Sequence, residues 1–395
     1  MTAPFSDQSA IQLLIKLLSV PGKSGDERAI ADLIVKLATD AGVKESQIKE
    51  DKAFKKSPYG GNCGNLIIKL PGTFRAPRRL LMAHIDTVPL CVGARPVLDG
   101  DVIRPRDSHT ALGGDDRAGA TVVLNTLLTI LKHQLPHPPL TFYWPIQEEV
   151  GLVGARYVSP RDLGQPKLCF NWDGGSADDI CIGATGAYNV NITVHGIASH
   201  AGVHPEAGVS AIGTASLAIA DLVENGWHGL VMKGKKRGTC NLGIIAGGDA
   251  TNVVTDRCVI HGEVRSHEDG FRQKILKAVE KAFVKAAKKL KNDTGKTGSI
   301  DFEWDLKYPA FLLDSQEAVV QTAQEAVETL GLTPSLVVGN GGLDANFLSD
   351  RGMPTVTLGC GEKNVHTVDE VVVVENFLNG CKLGLELACG PQQQI

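Results

Sequence analysis

Helix-period segments and short, continuous apolar runs alternate along the first 175 residues. Apolar positions recur with the spacing of an α-helix at 8–19 and again in "SGDERAIADLIVKLATDAG" (24–42), which predicts two helices with one buried face each. Ser24 and Glu27 are spaced as a capping box, so the second helix is expected to begin directly after Ser24.

Continuous apolar runs in the same region predict buried strands of a largely parallel sheet, because strands covered on both faces do not alternate with polar residues. These runs are "NLIIKL" (65–70), "RLLMAHI" (79–85), "LTFYWPI" (140–146) and "KLCFNW" (167–172). A helix from Arg117 to about residue 134 is predicted to connect two of them.

The pattern of apolar and polar residues changes after Asp173. The first segment with the new pattern is 187–196, which predicts a strand with one polar side. A helix (208–225), strands near 240–247 and 256–266, and a long basic helix (271–292) follow. This arrangement predicts an inserted α+β domain, with helices on an antiparallel sheet.

Alternating helices and strands then resume, at 315–330, 335–339, 344–350, 354–359 and 375–389. We therefore expect an α/β fold in which residues 1–184 and 300–395 form one discontinuous domain and residues 185–299 form the insertion.

Composition and charge narrow the functional classes. The net charge of −4 without a basic stripe argues against nucleic acid as a partner. The longest apolar run (120–131) is too short for a membrane span, and the first ten residues lack a secretory signal. Nine scattered cysteines without a C-x-x-C pair indicate reduced thiols, so a cytoplasmic protein is expected.

Acids and histidines cluster where the predicted strands end. They are His84 and Asp86, Asp115 and Asp116, Glu148 and Glu149, Asp173, and His366. Because the carboxyl ends of parallel strands converge on one crevice, these groups are expected to meet there. Nitrogen and oxygen donors without thiolate suit zinc, cobalt or manganese.

Spacing suggests separate roles within this cluster. His84 and Asp86 point the same way in an extended segment, so Asp86 can orient a ligating His84. The neighbours Glu148 and Glu149 point differently, which allows one ligand and one proton shuttle. Any single motif is more often a turn or a salt bridge. The ordered set of five favours a cation site.

The ordered motifs "AHIDTVP", "GGDDRAG", "IQEEVGLVGA", "WDGG" and "NVHTVDE" strongly resemble the co-catalytic di-zinc exopeptidases. The resemblance is greatest to the peptidase T-like branch and extends over nearly the whole chain. Glutamate carboxypeptidase and acetylornithine deacetylase are relatives in the same superfamily. The resemblance implies metal-dependent hydrolysis of an amide bond in small peptides, in the manner of an aminopeptidase or tripeptidase.

The resemblance also implies a role for each residue. His84 and Asp173 would hold one metal ion, Glu149 and His366 the other, and Asp115 would bridge them. Asp86 would orient His84, and Glu148 would be the general base. The two ions are expected to be zinc, with cobalt or manganese as alternatives.

In the insertion, "ASHAG" resembles the family's lid motif, which implies that His200 stabilises the oxyanion. Asn252, Arg265 and Gly341 match positions that contact the substrate in the family. The same resemblance implies a homodimer formed through the lid. Arg117 departs from the usual lysine, and His109 and His204 are interpreted as loop histidines.

Two other hypotheses remain open from sequence. A carboxypeptidase or N-acyl-amino-acid deacylase of the same superfamily would also use an arginine such as Arg265 to bind a free carboxylate. A non-catalytic scaffold that has kept the fold would be expected to lack a ligand or the base, and this chain lacks none of them.

Overall fold

A computed structural model describes Pro4 and residues 6–390. Residues 1–3 and 5 belong to the ten residues that were predicted to lack a secretory signal, and they lie outside the described part of the chain. The α-helices of the described residues are α1 (Asp7–Leu18), α2 (Arg28–Asp40), α3 (Gly114–His133), α4 (Val153–Tyr157), α5 (Ala211–Glu224), α6 (Asp269–Ala287), α7 (Ala318–Thr329), α8 (Asp344–Asp350) and α9 (Val374–Cys389).

Strands occur throughout the described residues. They are β1 (Ile48–Glu50), β2 (Leu66–Leu70), β3 (Arg79–Met82), β4 (Pro96–Asp99), β5 (Val102–Pro105), β6 (Leu140–Trp144), β7 (Leu168–Trp172), β8 (Asp179–Ala184), β9 (Gly186–His195), β10 (Ser199–His200), β11 (Gly229–Lys233), β12 (Lys236–Gly247), β13 (Val253–Val254), β14 (Arg257–Ser266), β15 (Ser299–Tyr308), β16 (Phe311–Leu312), β17 (Ser335–Gly339), β18 (Thr355–Leu358), β19 (Glu362–Lys363) and β20 (Val371–Val373).

The described chain forms two compact units. Unit 1 lies within residues 1–184 and 312–395, and unit 2 is residues 185–311. The large sheet has the order β1-β2-β6-β3-β7-β18-β8-β16, with β17 beside β8. Its central strands β6, β3, β7 and β18 are parallel neighbours. Strand β2 runs antiparallel to β6, and β8 runs antiparallel to β18 but parallel to β17. The predicted α/β class with a mostly parallel sheet is confirmed.

The central strands are buried because their residues are continuously apolar. Every residue of β6 is buried, and β3 and β7 each have one partly buried residue, at the strand start. Helix α3 packs against α1 and α9, and its apolar residues are buried along most of its length. This continuous burial is what the unbroken apolar runs predict.

Unit 2 contains a five-stranded antiparallel sheet with the order β11-β12-β14-β9-β15. Alternate residues of β9 are buried, namely Val190, Ile192 and Val194, and they share a core with Phe271 and Phe283 of α6. The alternation places one face of β9 against the helices and leaves the other polar. This is the α+β arrangement expected for the insertion.

The second boundary of unit 2 differs from the expected one. Strand β15 pairs with β9 from Ser299 to Tyr308, so the unit extends to Phe311 rather than ending at residue 299. Apolar residues Ile300, Phe302, Trp304 and Leu306 alternate along β15. The expected boundary at residue 299 assigned this strand to the other domain.

The capping box proposed for Ser24 and Glu27 is wrong. Helix α2 begins at Arg28, and its N-cap position shows no side-chain cap. The Ser24 hydroxyl donates instead to Asp86 Oδ2 at 2.7 Å. The buried Glu27 carboxylate accepts the Gly25 and Gln147 backbone N–H groups. Long-range contacts therefore outweigh the local cap.

A small sheet with the order β19-β20-β5-β4 brings residues 362–373 beside residues 96–105. It was not predicted, because its strands are two to four residues long. It supports the loop that carries His366. Among the described residues, no helix has the length and apolar character needed to cross a membrane.

Candidate active site

Polar groups follow directly after the ends of the central parallel strands in unit 1. His84 and Asp86 follow β3, Glu148 and Glu149 follow β6, and Asp173 follows β7. Parallel strands present their carboxyl ends at one edge of the sheet, so these side chains converge.

The turn before α3 adds Asp115 to this edge. Gly113 adopts a left-handed conformation with φ of 80°, which glycine tolerates best. At Gly114 a Cβ atom would lie 2.6 Å from Val372 Cγ2, so the turn has no room for a side chain. The glycines of "GGDD" therefore let the turn pack closely and place the Asp115 carboxylate beside His84.

Asp115 lies between the two histidines. Its Oδ1 is 3.0 Å from His84 Nε2, and its Oδ2 is 3.1 Å from His366 Nε2. His366 Nε2 is also 2.9 Å from Glu149 Oε2. A single carboxylate thus connects two imidazoles from distant parts of the chain.

Two groups of three potential ligands share this aspartate. His84, Asp115 and Asp173 form one group, and Asp115, Glu149 and His366 form the other, with donor atoms within 4.8 Å of one another in each. The donors are imidazole nitrogens and carboxylate oxygens, a set that fits zinc and similar divalent ions. These are the five residues that the family resemblance implies as ligands.

Asp86 organises three neighbouring segments. Its carboxylate accepts the backbone N–H of Glu148 at 2.9 Å and of Glu149 at 3.3 Å, besides the Ser24 hydroxyl. His84 Nδ1 lies 3.1 Å from the Asp86 carbonyl oxygen and 3.4 Å from its carboxylate. The orienting contact expected from the carboxylate is therefore shared with the backbone, and both leave His84 Nε2 directed at Asp115.

Burial and mutual charge shift the ionisation of the site. Burial raises the pKa of Glu148 well above its usual range, opposed by His84 and reinforced by Asp173. Burial, reinforced by Asp115, raises the pKa of Asp173 to about 7. Asp115 is also buried, but the hydrogen bonds to His366 and His84 hold its pKa below the usual value.

The neighbouring carboxylates raise the pKa of both histidines. Hydrogen bonds to Asp115 and Glu149 raise the pKa of His366 to about 10. Burial opposes protonation of His84, yet its bonds to Asp115 and Asp86 raise the pKa well above 6.5. The surrounding carboxylates thus favour positive charge at this edge, as a cation site requires.

Several buried groups were not identified as site residues from sequence. Glu370 accepts hydrogen bonds from the backbone of the Asp115 turn. Asp344 is buried with no hydrogen-bond partner on either carboxylate oxygen, and burial raises its pKa to about 8. Glu370 ends the motif "NVHTVDE", and Asp344 lies three residues after Gly341, but only His366 and Gly341 were singled out.

In unit 2 the structure brings His200 and Asn252 together. Strand β10 pairs with β13, and the Ala201 N–H donates to the Asn252 carbonyl at 2.9 Å. His200 Nδ1 accepts the N–H groups of Gly202 and Val203 at 3.2 and 3.1 Å. Its ring proton is therefore on Nε2, and the side chain is exposed.

Arg265 has a partner that the sequence analysis did not consider. Its guanidinium donates to both Glu263 carboxylate oxygens, at 2.8 and 3.0 Å. A substrate carboxylate at this position would have to share the guanidinium with Glu263. Gly341 lies in unit 1 between β17 and α8, where an added Cβ would contact nothing within 4 Å.

Comparisons with known proteins identify the family. Residues 65–193 match the family model described as peptidase family M28, and residues 182–291 match the peptidase dimerisation domain. The solved aminopeptidase PepT of Bacillus cereus is 31% identical, with a TM-score of 0.85, covering 98% of this chain and 99% of that one. The chain belongs to the PepT family of co-catalytic metallopeptidases. This PepT-family protein is a metal-dependent peptidase.

Other relatives cover the PepT-family chain equally well. A solved tripeptidase of Staphylococcus aureus is 27% identical with a TM-score of 0.88, covering 98% of this chain and 99% of that one. An uncharacterised Bacillus subtilis protein is 28% identical over 379 residues, which is 96% of this chain and 97% of the relative. The similarity therefore includes both units.

Proposed function

We propose that this chain is an aminopeptidase that cleaves small peptides, tripeptides in particular, using two divalent cations. The observation that carries the proposal is the pair of three-donor groups that share Asp115, with the buried carboxyl of Glu148 beside them. The full-length similarity to an aminopeptidase PepT and to a tripeptidase supports the substrate class.

The donor set fits the cations implied by the family. His84 and Asp173 would hold one ion, Glu149 and His366 the other, and Asp115 both. Zinc is the ion that we propose, with cobalt or manganese as alternatives. When bound, such ions polarise a carbonyl group and lower the pKa of water, so that the water loses a proton more readily and becomes a better nucleophile.

Glu148 performs the proton transfer in this proposal. It is outside both donor groups, and Asp86 fixes the backbone of its segment. Its raised pKa suits a group that accepts a proton from the attacking water and returns it to the departing amine. Its neighbour Glu149 contacts His366 and serves as a ligand, so the adjacent acids have different functions.

His200 supplies a hydrogen bond to the developing oxyanion. The backbone amides that occupy Nδ1 leave Nε2–H as the outward donor, which is the form needed to stabilise negative charge. We assign Asn252, Arg265 and Gly341 to substrate contact. Arg265 would bind the carboxyl terminus of the peptide.

We further propose a cytoplasmic homodimer that forms through unit 2. The match of residues 182–291 to a peptidase dimerisation domain supports this assembly. Exposed apolar side chains of β11 and β12, including Leu230, Met232 and Ile244, provide surface suited to an interface. Light scattering coupled to size exclusion is expected to give twice the chain mass of 41.9 kDa.

A substrate panel tests the reaction. Tripeptides with free amino termini, the same peptides acetylated at the amino terminus, and N-acyl amino acids are compared in the presence of zinc, cobalt or manganese. We expect rapid release of the first residue from the free tripeptides, and loss of activity with a chelator. Exclusive cleavage of the acylated compounds would instead indicate the deacylase or carboxypeptidase reaction.

A further inference from the structure

Glu370 connects the loop of one candidate ligand to the turn of another. It lies four residues after His366, directly before β20, and is almost completely buried. Its Oε2 accepts the backbone N–H groups of Leu112 and Gly113 at 2.8 Å each, and its Oε1 accepts the Asp115 N–H at 3.0 Å.

These three bonds account for the burial of the carboxylate. Among the described residues, no lysine, arginine or histidine forms an ion pair with Glu370, and it belongs to neither three-donor group. A buried carboxylate is costly unless donors compensate it, and bonds from N–H groups to a charged acceptor are strong ones. Glu370 is therefore bound to the turn rather than to a cation.

The turn is shaped to receive this side chain. A Cβ added at Gly114 would lie 3.2 Å from Glu370 Oε1 as well as 2.6 Å from Val372 Cγ2. The absence of a side chain at residue 114 thus allows Glu370 and Val372 to approach the backbone that carries Asp115.

The His366 loop is also internally fixed. The Thr367 hydroxyl donates to the Asn364 carbonyl at 2.7 Å, and the Glu370 N–H donates to the Thr367 carbonyl at 3.2 Å. His366 is therefore held relative to Glu370, which in turn holds Asp115. The 3.1 Å distance between His366 Nε2 and Asp115 Oδ2 spans the same two segments.

We propose that Glu370 is a positioning residue that fixes the bridging carboxylate of Asp115 relative to His366. It thereby sets the affinity for the cation held by Asp115, Glu149 and His366. This inference rests on the proposed two-cation site. It assigns Glu370 no contact with substrate.

Glu370→Gln is the informative change because it keeps the shape of the side chain. A glutamine amide has one oxygen, so either the Leu112 and Gly113 pair or Asp115 faces an NH2 group, and two donors then oppose each other. We expect the affinity for one of the two zinc ions to fall about 10- to 100-fold, measured by calorimetric titration. Peptidase activity should recover when zinc is raised above the new dissociation constant.

Asp369→Asn is the matched control. It removes the same formal charge from the neighbouring residue, whose side chain is exposed, and should titrate like the wild type. Gly114→Ala is a second variant that disturbs the contact from the turn side, and it should lower the affinity for the same zinc ion. The melting temperature of each chelated protein separates this effect from general loss of fold.

Distinct results overturn distinct claims. Wild-type protein that binds fewer than two zinc ions would reject the two-cation proposal itself. Wild type binding two ions, together with Glu370→Gln and Gly114→Ala proteins that bind both equally well, would reject only the role of Glu370. Equal weakening by Asp369→Asn would also reject it, because the effect would then come from charge alone.

Discussion

The candidate functional groups of the two units are held in different ways. In unit 1 they are mostly buried, and Asp86 bonds to the backbone of both Glu148 and Glu149. In unit 2, His200 and Asn252 are exposed, and the His200 ring accepts backbone N–H groups from its own turn. Preorganised charge thus belongs to unit 1, whereas unit 2 presents donors at its surface.

The largest effect is expected at the proton-transfer group. Glu148→Gln should lower kcat by about 10²- to 10⁴-fold, because the amide cannot accept the proton of the attacking water. Zinc content should stay at the wild-type value, since Glu148 lies outside both donor groups. Steady-state kinetics and elemental analysis of the same sample provide the two measurements.

Glu149→Gln is the contrasting variant on the neighbouring residue. It removes a ligand oxygen that contacts His366, so zinc content should fall together with activity. If both variants lost zinc equally, the separate functions of the two glutamates would be wrong.

A smaller loss is expected from unit 2. His200→Ala should reduce kcat by about 10²- to 10³-fold, as removal of an oxyanion donor does elsewhere, with unchanged zinc binding. His204→Ala is the control, because His204 is exposed nearby and contacts Glu206. Equal activity of the two variants would contradict the role of His200.

The effect at Arg265 should depend on the substrate terminus. Arg265→Ala is expected to raise KM by about 10- to 100-fold for a tripeptide with a free carboxylate, through loss of a charged hydrogen bond. The tripeptide amide should be little affected. Glu263→Gln sharpens the test, since it frees the guanidinium and should lower KM for the free carboxylate only.

The smallest effect on activity, with a clear effect on stability, is expected at Glu27. Burial, reinforced by Asp86, raises its folded-state pKa from 4.5 to about 7, so the folded chain binds the additional proton between these values. Its contribution to the free energy of unfolding therefore decreases as the pH rises from about 4.5 to 7 and stays constant above that.

Glu27→Gln should remove this pH dependence. The glutamine oxygen can still accept the Gly25 and Gln147 N–H groups, while the unpaired Oε2 is lost. We expect stabilisation on the order of 1–3 kcal/mol at pH 8 and none at pH 4 in chelated protein, measured by urea unfolding. Parallel curves for wild type, Glu27→Gln and the exposed-site control Glu375→Gln would contradict the assignment.

The sequence predicted those elements whose burial is continuous. Strands β3, β6 and β7 contain unbroken apolar residues, and the polar groups after them could be placed at one edge by the rule for parallel strands. Strand β11 was missed because its apolar run, Leu230 to Met232, is only three residues long and only Val231 in it is buried.

Contacts across long sequence separations could not be predicted. Ser24 bonds to Asp86 rather than to its own helix, and Glu370 bonds to a turn more than 250 residues earlier. A single sequence records such residues without their partners. The Glu263 carboxylate on Arg265 was likewise visible only as an acid two positions away.

The position of β18 has a consequence for biosynthesis. This strand lies between β7 and β8 in the large sheet, yet it is formed by Thr355–Leu358, long after both neighbours have been translated. Until then a nascent chain has a gap in the middle of its sheet, with open edges on apolar strands that can pair wrongly. His366 and Glu370 leave the ribosome later still, so the candidate site is completed only after translation has passed them.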